Sequence, residues 1–227
     1  MKETGRCIIR LFVGFFLFAA GIVMTINAHV GLAPWDVFHQ GISNTVGITM
    51  GQASISLGII IVLISGLLGE KPGWGTLGNM IFIGIFIDFL MLNHIIPEFQ
   101  NIIAKLAMMV TGMFTIGVAS FLYLSAGMGA GPRDGLMVVL TKRTGKSVRL
   151  IRSTIETGAV ILGYIMGGSV GAGTLIMALT IGYFVQLAFG LFKFDVNKVE
   201  HRSVDHDIKL VRKMLSRSKT DVDAGPR

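Results

Sequence analysis

The sequence predicts an all-α, polytopic membrane protein built from two homologous repeats, and three observations lead to that fold class. Hydrophobic residues make up 52% of the 227 residues and charged residues only 15%, which leaves too little polar surface to cover a soluble globular protein. Several apolar stretches approach the roughly 20 residues that cross a bilayer core. The third observation is a long-range similarity between the two halves of the chain.

Two related hexapeptides define this internal repeat. Residues 31–36 read Gly-Leu-Ala-Pro-Trp-Asp and residues 129–134 read Gly-Ala-Gly-Pro-Arg-Asp, an offset of 129 − 31 = 98 residues. A period this long is not that of a solenoid, so each copy is predicted to be a sub-domain that packs on the other about a pseudo-twofold axis. The predicted domains are membrane repeat 1 at 1–95, membrane repeat 2 at 96–194, and a basic cytoplasmic tail at 195–227.

Each repeat is predicted to contain three membrane-spanning helices. In chain order the spans are predicted at 11–28, 52–68, 75–92, 104–124, 153–168 and 172–192. The five prolines all lie outside these spans, as expected of residues that break helices. The first apolar run is longer than the core of a signal peptide and recurs as an internal span from 104, so we predict a retained first helix.

A short helix is predicted between the first and second spans of each repeat, at 34–46 and at 132–144. Each segment begins with a proline, which suits the first helical position, and is followed by a glycine, which suits a helix C-terminus. About 13 residues at 1.5 Å rise reach only about 20 Å, too short to cross a bilayer. We therefore predict re-entrant helices; if they cross instead, the chain has eight crossings and parallel repeats.

The 20 Lys and Arg residues indicate the orientation of the chain. They concentrate near the N-terminus, between 142 and 152, and from 193 onward. Excess basic residues flank spans on the cytoplasmic side, which predicts a multi-pass protein of the bacterial plasma membrane with both termini cytoplasmic. The loop at 141–149 is basic and its partner at 43–50 has no Lys or Arg, which favours inverted repeats. Because topology accounts for these charges, no nucleic-acid partner is expected.

The sequence of the tail at 195–227 allows two interpretations. Ile208, Val211 and Leu215 fall at helical spacing among basic residues, which fits a short amphipathic helix on anionic lipid. A disordered cytoplasmic end is the alternative.

Ionisable residues at membrane depth are the candidates for a functional site, because burying charge in a bilayer is costly. Asp36 and Asp134 occupy aligned positions in the first turn of the two short helices. A carboxylate there complements the positive helix end, or belongs to a substrate or proton site formed where two half-helices meet. The candidate substrate or coupling residues are Asp36, His39, Arg133, Asp134, Asp88 and Glu156.

The two copies differ at these positions. His39 lies one turn after Asp36, so the carboxylate favours a protonated imidazole that suits proton coupling, although a plain hydrogen-bonded histidine is the alternative. Arg133, which replaces Trp35, could bind an anionic substrate group or neutralise an aspartate. Glu156 is structural if Arg152 pairs with it and a proton carrier if it is unpaired.

The sequence does not indicate an enzyme. Cys7 is the single cysteine, and neither a metal-ligand spacing, a nucleophile with an adjacent base, nor a dinucleotide motif is present. We therefore expect no cofactor and no metal. Residues 73–77 and 171–175 contain Gly-x-Gly-Thr-Leu without a following lysine, which fits close helix packing better than a phosphate loop.

Two parts of the chain carry a family resemblance: Gly-Leu-Ala-Pro-Trp-Asp-Val-Phe with the later Thr49–Gln52, and Gly-Pro-Arg-Asp-Gly-Leu-Met at 131–137. They resemble the YczE/YyaS/YitT group of bacterial integral membrane proteins. The likeness covers about 8 to 192 and implies a membrane location; some relatives are linked to production or export of small natural products. It implies no ligand residues.

We expect a secondary transporter or exporter of a small molecule, in contact with the lipid bilayer, or alternatively a non-transporting accessory protein of a biosynthetic or secretion complex. Homo-oligomerisation stays open.

Overall fold

A computed structural model describes residues 2–70 and 72–194 of the chain. The predicted tail at 195–227, with its amphipathic helix, lies outside the described residues. Within the described residues all regular structure is α-helical, which confirms the predicted all-α class. The eight helices are α1 (Lys2–Asn27), α2 (Pro34–Val46), α3 (Met50–Leu67), α4 (Trp74–Leu92), α5 (Ile102–Leu124), α6 (Pro132–Thr144), α7 (Val148–Ile165) and α8 (Ala172–Leu191).

Five of these helices are long and apolar enough to cross a membrane: α1, α3, α4, α5 and α8. The remaining predicted span, at 153–168, corresponds to α7, which forms a helix of 18 residues but carries Arg149, Arg152 and Glu156. It begins five residues before the predicted start at 153, because the Ser147 hydroxyl accepts a hydrogen bond from the Leu150 backbone N–H at 3.3 Å and caps the helix.

The two short helices have the same local construction. Both contain 13 residues and begin with a proline, and α6 begins 132 − 34 = 98 residues after α2. Each ends at a glycine in the left-handed region, Gly47 with φ 75° and Gly145 with φ 66°, a conformation that favours glycine. Proline at the start and glycine at the end therefore set both boundaries.

The long helices α1 and α5 form the centre of the bundle and run antiparallel. Near the start of α1, the Cys7 thiol donates to the carbonyl oxygen of Ala126, just beyond the end of α5, at 3.3 Å. At the other end of α1, the Asn27 side-chain amide donates to the carbonyl oxygen of Ile96, in the connection that leads into α5, at 2.8 Å. The two helices thus begin at opposite ends of the molecule.

Glycines allow the backbones of α1 and α5 to touch. A Cβ on Gly21 would lie 2.8 Å from the carbonyl oxygen of Gly112, and a Cβ on Gly112 would lie 2.9 Å from that of Gly21. Fully buried Phe15 packs beside Tyr123 of α5, with ring centroids 6.3 Å apart. This small-residue contact is typical of membrane helices, whose association depends on close van der Waals packing.

Both ends of α2 contact the region that joins α7 to α8, from Gly167 to the first turn of α8. Before α2, the carbonyl oxygen of Val30 accepts from the Gly173 backbone N–H at 3.0 Å. At the end of α2, the Asn44 amide donates to the carbonyl oxygen of Gly167 at 2.8 Å. The chain therefore enters and leaves α2 beside the same short segment of the second half.

The ends of α6 make the corresponding contacts with the region that joins α3 to α4, from Leu68 to the first turn of α4. The carbonyl oxygen of Met128 accepts from the Gly75 backbone N–H at 2.6 Å. The Arg143 guanidinium donates to the carbonyl oxygen of Leu68 at 2.9 Å. Each half thus holds the short helix of the other half at both of its ends.

Candidate functional site

The first turns of α2 and α6 meet through Arg133. Its Nη2 lies 3.3 Å from Nε2 of His39, a residue 94 positions earlier in the chain. The guanidinium carbon also lies 4.8 Å from the ring centroid of Trp35, in cation–π range. The position at which the two copies differ, Trp35 in one and Arg133 in the other, is therefore a direct contact between them.

Asp36 and His39 form a deeply buried pair on α2. Each residue is only 2% exposed, and His39 Nδ1 lies 3.4 Å from Asp36 Oδ1. That oxygen is buried without a hydrogen-bond partner among the described residues. An uncompensated carboxylate in such surroundings is costly, and Arg133 lies close enough for its charge to offset part of that cost.

The contact with Arg133 is compatible with a neutral His39. Arg133 is a donor only, so the nitrogen that faces it, Nε2, acts as the acceptor. The proton of a neutral imidazole then sits on Nδ1 and points toward Asp36. The Asp36–His39–Arg133 row is therefore consistent with a neutral imidazole between a carboxylate and a guanidinium.

Asp134 lies beside this row on α6 and contacts α5. The Tyr123 hydroxyl donates to Asp134 Oδ2 over a long distance of 3.4 Å. Tyr123 is 4% exposed, and the sequence analysis did not select it. Its signal in the sequence is a phenol at the end of a predicted span, 11 residues before an aspartate at membrane depth, and buried tyrosines usually find a hydrogen-bond partner.

Glu156 is paired in the structure. Arg152 Nε donates to Glu156 Oε1 at 2.8 Å, with side chains 50% and 20% exposed, respectively. The pair borders the central cluster, since α7, which carries both residues, packs against α2 and α6. Of the two alternatives for Glu156, the structure presents the paired one.

Asp88 has a different set of partners. Its carboxylate accepts hydrogen bonds from the Thr49 hydroxyl and, at 2.7 Å, from the Gly51 backbone N–H. These groups lie at the start of α3, where helical N–H groups lack partners and the helix dipole favours an anion. In these contacts Asp88 fixes the end of α4 to the start of α3.

We expect Asp88→Ala to lower the free energy of unfolding by about 2 kcal/mol, because it removes two hydrogen bonds to a charged acceptor. Denaturation of the purified protein in mixed micelles measures this change. Asn93→Ala is the control, since its side chain is exposed and bonds only to the Phe89 carbonyl of its own helix end. Equal losses in the two variants would contradict the role of Asp88.

The described residues contain no group of three or more His, Cys, Asp or Glu side chains that could hold a metal ion. The polar cluster between α2 and α6 is instead built from charges of both signs, an imidazole, a phenol and an indole.

Comparison with known proteins places this chain in a family. The model of DUF6198, described as a family of unknown function, matches residues 5–189. The chain belongs to this family. An uncharacterized membrane protein, YczE of Bacillus subtilis, is 36% identical over 78% of this chain and 82% of its own. No solved structure matches the chain.

Two further relatives extend the comparison. An uncharacterized protein of Haemophilus influenzae is 32% identical over 77% of this chain and 81% of its own. The uncharacterized protein YyaS of Bacillus subtilis is 26% identical over 72% of this chain and 83% of its own. The predicted resemblance to YczE and YyaS is confirmed, and with the apolar helices it identifies this DUF6198 member as a multi-pass integral membrane protein.

Proposed function

We propose that this protein is a secondary transporter or exporter of a small molecule, with its site where α2 and α6 begin. One observation carries the proposal: Arg133 of α6 contacts both Trp35 and His39 of α2 in the interior of the bundle. Ionisable side chains at membrane depth are rare, and in transporters they mark substrate and ion pathways. Sites of this kind lie between structural repeats, at the ends of broken or short helices.

The proposed architecture is a pair of inverted repeats. It is supported by the antiparallel packing of α1 and α5, the first helix of each half. It is also supported by the offset of 98 residues, which relates α2 to α6 and equally α3 to α7 (148 − 50 = 98). Parallel repeats would place the start of α1 and the end of α5 at opposite ends, whereas Cys7 and Ala126 are in contact.

The proposed re-entrant form of the short helices is supported by their flanking contacts. A crossing helix would have its two ends on opposite sides of the membrane. The flanks of α2 instead both contact residues 167–173, and those of α6 both contact residues 68–75. Irregular backbone at membrane depth is tolerated where it is buried in protein, as it is here beside α4 and α8.

The proposed orientation places the basic end of the bundle in the cytoplasm. Arg10 of α1 lies 3.5 Å from the Ser125 hydroxyl, and Lys142 of α6 lies 3.3 Å from Glu70, which follows α3. These basic flanks share one end, and the positive-inside rule assigns that end to the cytoplasm. Both termini are then cytoplasmic.

The Asp36–His39–Arg133 row gives the proposed transporter a means of coupling. His39 Nε2 accepts from Arg133 only while it is unprotonated. A proton arriving on Nε2 turns it into a donor and adds a positive charge, so Arg133 must move away. Protonation of His39 and release of the guanidinium are therefore linked in one local step.

The proposal predicts flux that depends on the two aligned aspartates. Proteoliposomes are loaded with a small-molecule extract of the host cells, and mass spectrometry identifies what the purified protein releases. We expect release by the unaltered protein and at least tenfold slower release by Asp36→Asn with Asp134→Asn, which corresponds to a transport barrier raised by about 1.4 kcal/mol or more. Glu98→Gln, an exposed position paired with His29, is the control. Absence of release by the unaltered protein would favour the accessory role, and equal release by the double variant would remove the site assignment.

A further inference from the structure

In the first half of the chain, glycines allow α3 and α4 to pack closely along their contact surface, which we call the seam between them. A Cβ on Gly51 would collide with the carbonyl oxygen of Gly84, and a Cβ on Gly58 would lie 2.6 Å from Met80 Cγ. Asp88 adds its hydrogen bond to the Gly51 backbone N–H. This seam between α3 and α4 leaves no room for water or solute.

The aligned seam in the second half, between α7 and α8, is open. Unlike α3 and α4, these two described helices do not pack along each other. Gly182 aligns with Gly84 (182 − 84 = 98), yet a Cβ there would meet nothing within 4 Å. Gln186, which aligns with Asp88, is exposed.

The sequence explains why one seam closes and the other does not. Three small residues on one face of α3 are replaced by long charged side chains at the aligned positions of α7. The small residues are Gly51, Ser54 and Gly58, and their counterparts are Arg149, Arg152 and Glu156. Positions three and four residues apart share a helix face, so the three charged side chains lie on the face of α7 that aligns with the glycine face of α3. Close approach of the kind seen at Gly51 is sterically excluded there.

We propose that the open seam between α7 and α8 is an aqueous entry route for small organic anions, which rests on the proposed transport function and names the substrate class. Arg149, Arg152 and Glu156 give this face a net charge of 2 − 1 = +1. Arg152 and Glu156 neutralise each other through their ion pair, so Arg149 supplies the uncompensated charge. The route begins at the basic end of the bundle, beside Lys146, where an anion is attracted electrostatically.

The route ends at the guanidinium of Arg133, which has N–H donors without a hydrogen-bond partner among the described residues. Arg133 carries five N–H donors, and the described residues offer it one hydrogen-bond partner, the neutral imidazole of His39. A carboxylate is a better partner, since it accepts two parallel hydrogen bonds from a guanidinium. Glu156 pairs with Arg152, and the helix that carries both packs against α2 and α6, at whose first turns Arg133 lies.

A pair of thiol reagents of opposite charge tests the route without knowledge of the substrate. Cys7→Ser removes the single cysteine, and Gln186→Cys places a thiol in the open seam, while Asn93→Cys places a matched exposed thiol at the opposite end. The purified proteins, in nanodiscs open to both faces, react with anionic sulfonatoethyl or cationic trimethylammonioethyl methanethiosulfonate. We expect the anionic-to-cationic rate ratio to be about tenfold higher at position 186 than at position 93, as expected of a basic cleft. Arg149→Gln should lower it to the value at position 93.

Each other outcome overturns the route. A ratio at position 186 equal to or below that at position 93 rejects an anion-selective seam, and no reaction with either reagent rejects an open one. Because labelling requires no transport, a tenfold preference without flux in proteoliposomes would retain the route and reject the transporter. Flux without the preference would retain the transporter and reject the anionic class.

Discussion

Gly163→Leu is expected to lower the free energy of unfolding by about 3 kcal/mol and to displace α2 from the site. A Cβ on Gly163 would lie 2.5 Å from the carbonyl carbon of Val37 and 2.6 Å from Cα of Phe38, both on α2. On the other side of the contact, a Cβ on Gly41 would lie 2.5 Å from the carbonyl oxygen of Gly163. The neighbours are backbone atoms, so neither helix can yield by moving a side chain.

Gly158→Leu is the matched control for this prediction. It lies on the same helix, and a Cβ there meets nothing within 4 Å. Leucine has a higher helix propensity than glycine, so this variant should be as stable as the unaltered protein or slightly more stable. Denaturation in mixed micelles measures both variants. Equal losses would show that the contact between α2 and α7 does not hold α2 in place.

The boundaries of the short helices were accessible from the sequence because their signals are local. Pro34 and Pro132 begin them and Gly47 and Gly145 end them, and the structure places the helices at 34–46 and 132–144 as predicted. A proline needs no partner elsewhere to favour a helix start, nor a glycine to favour a left-handed end. A helix boundary of this kind can therefore be predicted from a single residue.

The hydrogen-bond partners of the charged residues could not be predicted from local sequence signals. The sequence left Arg133 between a substrate anion and an aspartate, and in the structure its hydrogen-bond partner is His39, 94 residues away. The sequence around Asp88 did not predict its hydrogen bonds with Gly51 and Thr49 at the start of α3, which lie 37 and 39 residues earlier in the chain. These partners are decided by how the helices pack, and a pattern within one helix carries no information about the face it meets.

The same limit applies to the asymmetry of the two halves. The sequence predicted a span at 153–168 from its apolar length, and it placed Arg149, Arg152 and Glu156 on one face of that helix. Only the glycine contacts of α3 reveal that the replaced positions are those at which α4 approaches. Sequence similarity thus predicted a repeat, whereas the consequence of the differences between the two halves depends on how the helices pack.

Arg133→Gln is expected to destabilise the protein by about 3 kcal/mol, and adding Asp36→Asn is expected to recover part of that loss. Removal of one partner from a buried charged cluster costs about 3 to 5 kcal/mol, because the remaining charge is left uncompensated in a medium of low polarity. Asp36 is that remaining charge, with its Oδ1 atom buried and without a hydrogen-bond partner among the described residues. Neutralising it in the second variant removes the penalty.

A double-mutant cycle measures this coupling as the difference between the double variant and the sum of the single ones. We expect a coupling energy of about 1 to 3 kcal/mol, the range for residues in one charged network. Arg152→Gln is the control, because the Arg152 side chain is 50% exposed and ion pairs with an exposed partner contribute under about 1 kcal/mol. Additive losses for Arg133 and Asp36 would mean that the two halves do not share one electrostatic centre. A large coupling would mean that α2 and α6 are held at their first turns by opposite charges, so any ligand that separates these charges must also move the helices that carry them.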